Sequence, residues 1–385
     1  MSTAIHLALT EIWRNRGRFL LFSMVVALIT LLVLFIAALG EGLGAGNREY
    51  LEKLNADLIA YQDTARLSIA SSRIGCEKRR SIRSLEGVRD AGAVGFSSAS
   101  ILLAGEPETL DISLIGVEPG KPGEPPVVRG RGLLRSGADE AILDRTVAAV
   151  TNLRVGDRVT LRTTQGNENE FYTLEVIGIS DSRKYSLRPS VIVPIVTWDK
   201  VRPQAGKPTG EANPACNVVA VQLEDPSEVE SMGQFLEARV DRIEVVDRQT
   251  AYENTPGYSE QQATLNTQNG FALLIGALVI GGFFQIQTMQ KVPQIGMLKA
   301  IGTPNSIVAT ATIIQIIAIT VLGVLVGSLV TMGVALVFPA NIPIVFELRS
   351  GAMAVGSILL IGPIGGLVSI RYSLRVEPLT ALGLD

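Results

Sequence analysis

The chain has 385 residues, enough for two or three domains, and is 47% hydrophobic with only 5% aromatic residues, a mix that suits a protein partly inside a bilayer. A net charge of −3 gives no reason to expect a nucleic-acid partner. The one histidine, His6, stands before the first apolar run, which leaves no basis for a histidine metal site or for Ser-His-Asp or Cys-His catalysis. No catalytic residue, metal site or cofactor is therefore expected in this chain.

Residues 1–18 predict an amphipathic interfacial helix. Ile5, Leu9, Ile12 and Trp13 recur at helical spacing and lead into Arg14, Arg16 and Arg18. A plain start of the first span is the other reading. Phe19–Gly40 contains no charged residue and would make about 33 Å of helix at 1.5 Å per residue, against about 20 apolar residues for one crossing. Secretory apolar cores are only about 7–15 residues long, so residues 19–40 read as a retained first span. Glu41 follows at the membrane edge, either as an interfacial cap or as a charge facing a ligand.

Residues 41–265 form one large insertion. Ala56–Gln62, Val88–Ala104, Leu110–Val117, Asn217–Leu223 and Ile243–Val246 read as strands; Ile74–Gly87 and Pro226–Arg239 read as helices. These make a split α/β lobe from 50–118 and 215–248. Between them, 127–202 reads as a mostly β lobe, with Val155–Leu161, a turn at Gln165–Glu168, Phe171–Ile179 and Val191–Pro194. Proline and glycine runs at Pro119–Pro126 and Pro203–Pro214 bound it. Asp139, Glu140 and Asp144 form an acidic cluster, read as an exposed loop beginning a helix. Cys76 and Cys216 both fall in the insertion, as a disulfide if it lies outside the cytosol or as two separate thiols. Residues 249–269 predict a polar stalk that continues into the second span.

Three more spans follow, at 270–290, 305–338 and 351–371, around apolar runs Phe271–Ile286, Ile307–Phe338 and Gly351–Ile370. A loop at 291–304, an outer loop at 339–350 and a tail at 372–385 complete the plan. Arg14, Arg16, Arg18, Lys291, Lys299, Arg371 and Arg375 all fall on one side if both termini are cytosolic, which puts the insertion outside. The fold class is thus a four-span α-helical membrane protein with an inserted extracytoplasmic α+β domain of two lobes. Gly276, Gly281 and Gly282, Gly323 and Gly327, and Gly362 and Gly366 allow close helix approach, within one subunit or across a dimer.

In the loop, Ile295, Leu298 and Ile301 give a short helix an apolar edge, which Gly302 can end before a Thr303-Pro304 restart. Such a helix is either a turn on the membrane surface or a docking element for a partner. The text Lys-x-x-Gln-Ile-Gly-x-Leu-Lys-Ala-Ile-Gly at Lys291–Gly302 resembles the signature of the FtsX/MacB superfamily of ABC-transporter permeases, and so do the one-plus-three spans. Ala8–Arg18, the Val-Gly-Asp-x-Val strand at Val155–Val159 and the closing stretch Arg375–Leu382 are similar to the same family. One departure is Gln294, where the family usually has Glu.

The resemblance implies that Lys291, Gln294, Ile295, Gly296, Met297, Leu298, Lys299, Ile301 and Gly302 couple the chain to a separate ABC ATPase subunit, which holds ATP and Mg. The chain itself carries no Gly-x-x-x-x-Gly-Lys-Ser/Thr loop. It further implies a second permease copy, contact with membrane lipid, a membrane-fusion or other outer partner, and mechanical transmission instead of a continuous channel. Arg18–Leu31 resembles the small haem-efflux type of permease, with export of haem, drugs or lipids as the expected function. The alternative is an FtsX-like signalling permease that activates an outer partner, such as a cell-wall hydrolase, without transport.

Overall fold

The computed structural model describes residues 2–103, 109–204, 215–255, 257–337 and 344–375. The chain divides into two compact units, residues 44–260 and residues 1–43 with 261–385.

The 44–260 unit is built on a ten-stranded sheet and a separate two-stranded one. Its strands are β1 (Leu58–Gln62), β2 (Ile74–Gly75), β3 (Val88–Leu102), β4 (Thr109–Val117), β5 (Val127–Gly130), β6 (Glu140–Asp144), β7 (Arg158–Gln165), β8 (Glu168–Ser180), β9 (Ser190–Pro194), β10 (Ala215–Cys216), β11 (Val218–Leu223) and β12 (Ile243–Asp247). The order β12-β1-β11-β3-β4-β9-β6-β8-β5 is completed by β7, which pairs with both β3 and β8. The strands β3, β4, β9, β6, β8 and β7 therefore close a ring. β3 serves both portions of the insertion: its start, from Val88, pairs with β11, and Ser100 and Ile101 pair with β7. The two portions predicted as separate lobes share β3 and β4.

Both faces of this sheet are apolar. Along β11, Val219 and Val221 enter one core cluster while Val218 and Ala220 enter the other; along β1, Leu58 and Ala60 oppose Ile59 and Tyr61. Alternation of period two on a sheet covered on both sides gives near-continuous apolar runs in sequence. Short helices α3 (Cys76–Arg83), α4 (Arg145–Thr151), α5 (Ile195–Val201), α6 (Val229–Arg239) and α7 (Arg248–Glu253) complete the unit. Trp198 of α5 lies over Gly95 and Gly116, which are cross-strand neighbours on β3 and β4, and its Nε1 donates to Ser97 Oγ at 3.0 Å. Either glycine with a Cβ would collide with the indole.

Asp144 corrects the reading of an exposed acidic loop. It does begin a helix, as the cap of α4, but it is fully buried. Its Oδ1 accepts from Val147 N at 2.8 Å and its Oδ2 from Ser190 N at 2.9 Å, so one carboxylate joins β6, α4 and β9. Glu140 pairs with Arg131, and Asp139 lies 3.7 Å from Lys200. β2 and β10 set Cys216 opposite Ile74; Cys216 is buried with its Sγ 3.5 Å from Ile74 O. The Cys76 side chain, and with it the choice between a disulfide and two separate thiols, lies outside the described residues.

The other unit is helical. It holds α1 (Ser2–Arg14), most of α2 (Arg16–Glu52) and of α8 (Tyr258–Gln290), α9 (Val292–Ala300), α10 (Asn305–Val337) and α11 (Leu348–Arg375). Among the described residues three helices are long and apolar enough to cross a bilayer, Arg16–Gly46, Tyr258–Gln290 and Asn305–Val337, and a shorter apolar stretch runs Leu348–Ile364. Their packing depends on glycine. Gly323 sits against Val26 and Ser23 O of α2, and Gly327 against Ala27 O and Thr30; Gly362 and Gly366 sit against Thr320 and Ile316 of α10. Gly276 meets Ile29 of α2, whereas Gly282 faces open space. Most of the predicted close-approach glycines are thus used within one chain.

Two predictions follow from these contacts. Asp144→Ala leaves two buried amides without an acceptor and lowers unfolding stability by about 2–4 kcal/mol, read by chemical denaturation of the purified chain. Burial pushes the Asp144 carboxyl up, against the pull of the backbone amides of Ser190 and Val147. The folded state therefore holds that proton more tightly than the unfolded one, and this contribution to stability declines as pH rises from about 4, the unfolded range, through the raised folded value. Asp144→Asn should flatten that decline. In the helical unit, Gly327→Val drives a side chain into Ala27 O and Thr30 and destabilises by roughly 1–3 kcal/mol, while Gly282→Val is tolerated; thermal unfolding in detergent compares the two.

Candidate functional site

Two places in the helical unit gather the residues singled out from sequence. The first is the segment from Gln290 to Thr303. Pro293 sits in the first turn of α9, where a missing amide costs nothing. Ile301 caps the end, and Gly302 takes the left-handed conformation with φ +93°. Thr303 N donates to Leu298 O and Gly302 N to Lys299 O, both at 3.0 Å. This is the double bond pattern of a Schellman stop, and it explains why glycine stands at 302.

The apolar edge read from sequence is only partly presented. Ile295 and Gly296 are buried against the rest of the unit, and Leu298 and Lys299 are half-buried. The outward face is instead Gln294, Met297, Ala300 and Ile301, with Met297 55% and Ile301 78% exposed. A spacing of three cannot distinguish one helix edge from the next over so short a helix, so Ile295 was placed with the wrong neighbours.

At its root this segment is tied to two other helices. Lys291 forms an ion pair with Glu11 of α1 and donates to Gln315 Oε1 of α10 at 3.2 Å; Gln315 Nε2 donates to Glu11 Oε2 at 2.7 Å. The Lys291 ammonium stands 5.7 Å from the centroid of the Phe19 ring. Arg18 Nη1 donates to Gln290 Oε1 at 3.2 Å. A cleft of about 370 Å³, whose walls include Glu11, Arg14, Gln294, Leu298 and Gln315, lies beside this cluster. Sequence reading named Lys291 but missed Glu11 and Gln315. Gln315 had a signal, as the lone glutamine in the uncharged, mostly apolar α10, whereas Glu11 sits among Thr10, Arg14 and Asn15 and had none.

The second place surrounds Glu41. A cleft of about 290 Å³ is enclosed by α2, α8 and α11. Val33, Ile36, Leu265, Leu273 and Met353 supply an apolar wall; Glu41, Gln262, Asn266, Asn269 and Ser350 supply polar groups. Ser350 Oγ donates to Glu41 Oε1 at 2.6 Å and holds the carboxylate in place. Val345 N donates to Ala38 O at 3.1 Å, fixing the segment before α11 against α2. Asn269 Oδ1 is buried and accepts no hydrogen bond among the described residues. Only Glu41 was expected here. Gln262, Asn266 and Asn269 fall at i, i+4 and i+7 of α8, a polar stripe that the reading of 249–269 as a plain stalk passed over. No group of three or more His, Cys, Asp or Glu placed to hold a metal occurs among the described residues. The arrangement offers an amphiphile apolar contact along one side and fixed polar groups along the other.

The family model for a MacB-like periplasmic core domain matches residues 19–239, and that for the FtsX-like permease C-terminal region matches residues 269–378. A protein of Staphylococcus haemolyticus named as a hemin transport system permease, HrtB, is 26% identical over 98% of this chain and 99% of its own length. A protein of the same name from Staphylococcus epidermidis is 24% identical over 98% and 99%. Among solved structures, the periplasmic region of MacB from Actinobacillus actinomycetemcomitans is 14% identical with a TM-score of 0.37, and it covers 54% of this chain and 98% of that one. The first family model alone spans more than half of the 385 residues, and the second takes up most of the remainder where the long apolar helices stand. The chain belongs to the FtsX/MacB family of ABC-transporter permeases, as a membrane protein with an extracytoplasmic MacB-like domain.

Proposed function

We propose that this chain is the permease subunit of an efflux transporter that removes a hemin-like amphiphile from the outer half of the membrane, driven by a separate ATPase. The observation that carries the reading is the Glu41 cleft. It joins a carboxylate and a methionine thioether, Met353, to an apolar wall on helices that line the bilayer. Carboxylate and thioether are the groups this cleft offers a ferric porphyrin, and its lining holds no histidine, tyrosine or cysteine among the described residues. The cleft is near the lower limit for a small-molecule site, about 300 Å³, and so takes one edge of a porphyrin and leaves the rest to lipid or to a second copy of the chain. The names of the full-length relatives favour hemin over other amphiphiles.

In this reading four spans cross the membrane, the fourth being α11, and both termini are cytosolic. The charge pattern of Arg14, Arg16, Arg18, Lys291, Lys299 and Arg371 supports that orientation. The ATPase sits on the outward face of α9. Met297 and Ile301 supply the apolar contact, and Gln294 gives a neutral hydrogen bond where the family's Glu would give a charge-assisted one. ATP-driven closure of two ATPases moves α9, and α8 and α2, which extend beyond their apolar stretches, convey the motion outward. The chain works in this scheme as one of two copies.

Copurification with the partner ATPase and reconstitution in liposomes test the proposal. Hemin should stimulate ATP hydrolysis and leave the liposomes, and Glu41→Ala should raise the half-stimulating hemin concentration about tenfold, the effect of losing ~1.4 kcal/mol of contact. If no amphiphile stimulates, and the chain instead binds and activates a wall hydrolase, signalling replaces transport. Met297→Asp and Ile301→Asp should each weaken ATPase binding by about tenfold or more, as loss of an anchor residue does. Retention of the ATPase by both variants in a pull-down would put the docking face elsewhere.

A further inference from the structure

The contacts around Lys291 close into a ring. Its ammonium donates to Glu11 and to Gln315 Oε1, and Gln315 Nε2 returns to the other Glu11 oxygen. Each of the three side chains contacts the other two. The Lys291 and Glu11 side chains are only 17% and 23% exposed, and Gln315 is buried. Charge-assisted bonds in such a setting are stronger and more directional than an exposed ion pair. The three residues also come from three separate elements: the last turns of α1, the junction of α8 with α9, and the buried side of α10. Arg18 and Gln290 add a second tie between the start of α2 and the end of α8.

A lysine following the last turn of α8 needs no partner on α1 to offset the carbonyl end of that helix. Glu11 is not required for capping, and its position needs another account. The apolar face of α1 supplies one, since Ile5, Leu9 and Trp13 are exposed by 41, 53 and 75%. One side of α1 faces lipid and the other packs on α10, with Ala8 fully buried and Ile12 against the helical core, so the Glu11–Lys291 pair is what ties it to the root of α9.

We propose that Glu11 is a positioning residue: through Lys291 it clamps the amphipathic helix α1 to the root of α9, so that α1, α9 and α10 move as one body when the ATPase pulls. The proposal rests on the ATPase-coupled reading above and adds α1 to the moving parts. Its chemistry requires opposite charges at 11 and 291 but does not fix which is which. Gln315 can present either end of its amide, so an exchanged pair is satisfied by turning that amide over.

The test uses the full chain with its ATPase in liposomes. Spin labels are placed at Leu9→Cys and Ala300→Cys in a background with Cys76 and Cys216 replaced by Ser. Glu11→Gln and Lys291→Gln should lower the ratio of hemin-stimulated to basal ATP hydrolysis by about fivefold or more and broaden the label distance distribution, while the ATPase still copurifies. The exchanged variant, Glu11→Lys with Lys291→Glu, should recover both readouts to within about twofold. A Glu11→Gln protein with the wild-type ratio and a narrow distance overturns the clamp, and so does an exchanged variant no better than either single one. If the unmutated protein neither holds an ATPase nor responds to any amphiphile, the functional reading fails; the label distances in the chain alone still decide whether Glu11 fixes α1.

Discussion

In a bilayer, a polar side chain finds no water, so it must be satisfied by the chain itself or by something that binds to it. That constraint organises the helical unit. Most of its hydroxyls meet the requirement locally. Thr30, Thr320 and Thr331 each donate to the carbonyl four residues back, at 2.8 Å. The same threonines lie next to glycines or carry them: Thr30 packs on Gly327, Thr320 on Gly362, and Thr331 donates to Gly327 O. Local satisfaction and close helix approach are thus achieved by the same residues, and among the described residues α2, α10 and α11 leave no buried side-chain polar atom without a partner.

The long polar side chains cannot be satisfied this way, and they mark where the unit does something besides pack. Glu11, Lys291 and Gln315 satisfy one another across three elements. Glu41 is held by Ser350 across two. On α8, the side-chain oxygens of Asn269, Gln285 and Gln287 accept nothing among the described residues. Asn269 lines the Glu41 cleft, so its open acceptor belongs to the surface that a ligand would meet. The ring at Lys291 is closed on itself, whereas the cleft at Glu41 keeps an open acceptor among the described residues.

How much of this the sequence showed follows from the same physics. Long apolar runs depend on composition alone, so the long apolar helices and their order were legible from Phe19 onward. The double-faced sheet was harder. Val218–Leu223 reads as a strand because every second residue enters the same core, but nothing local says that β3 passes from one portion of the insertion to the other. That depends on pairing with β7, whose partners lie about 60 residues away along the chain. The buried role of Asp144 was hidden for a similar reason: its second acceptor bond goes to Ser190, 46 residues on. In α9, the family signature located the segment, yet the periodicity of nine residues was too short to tell the inward Ile295 from the outward Met297.

The departure at Gln294 gains meaning from this geometry. With a glutamate there, the exposed face of α9 would carry a charge for its partner to answer, and specificity could rest on that pair. With glutamine, the outward face of α9 is neutral: Gln294, Met297, Ala300 and Ile301 offer shape and apolar area. α9 carries one charge of its own, the half-buried Lys299 beside this face, and Lys291 at its start is already engaged by Glu11. A partner fitted to this face therefore needs an apolar pocket more than a basic residue. In the proposed coupling, force through this face would be set by packing, which tolerates compression but not separation, and the clamp proposed at Glu11 would be the point where a pull on α9 is first resisted by charge.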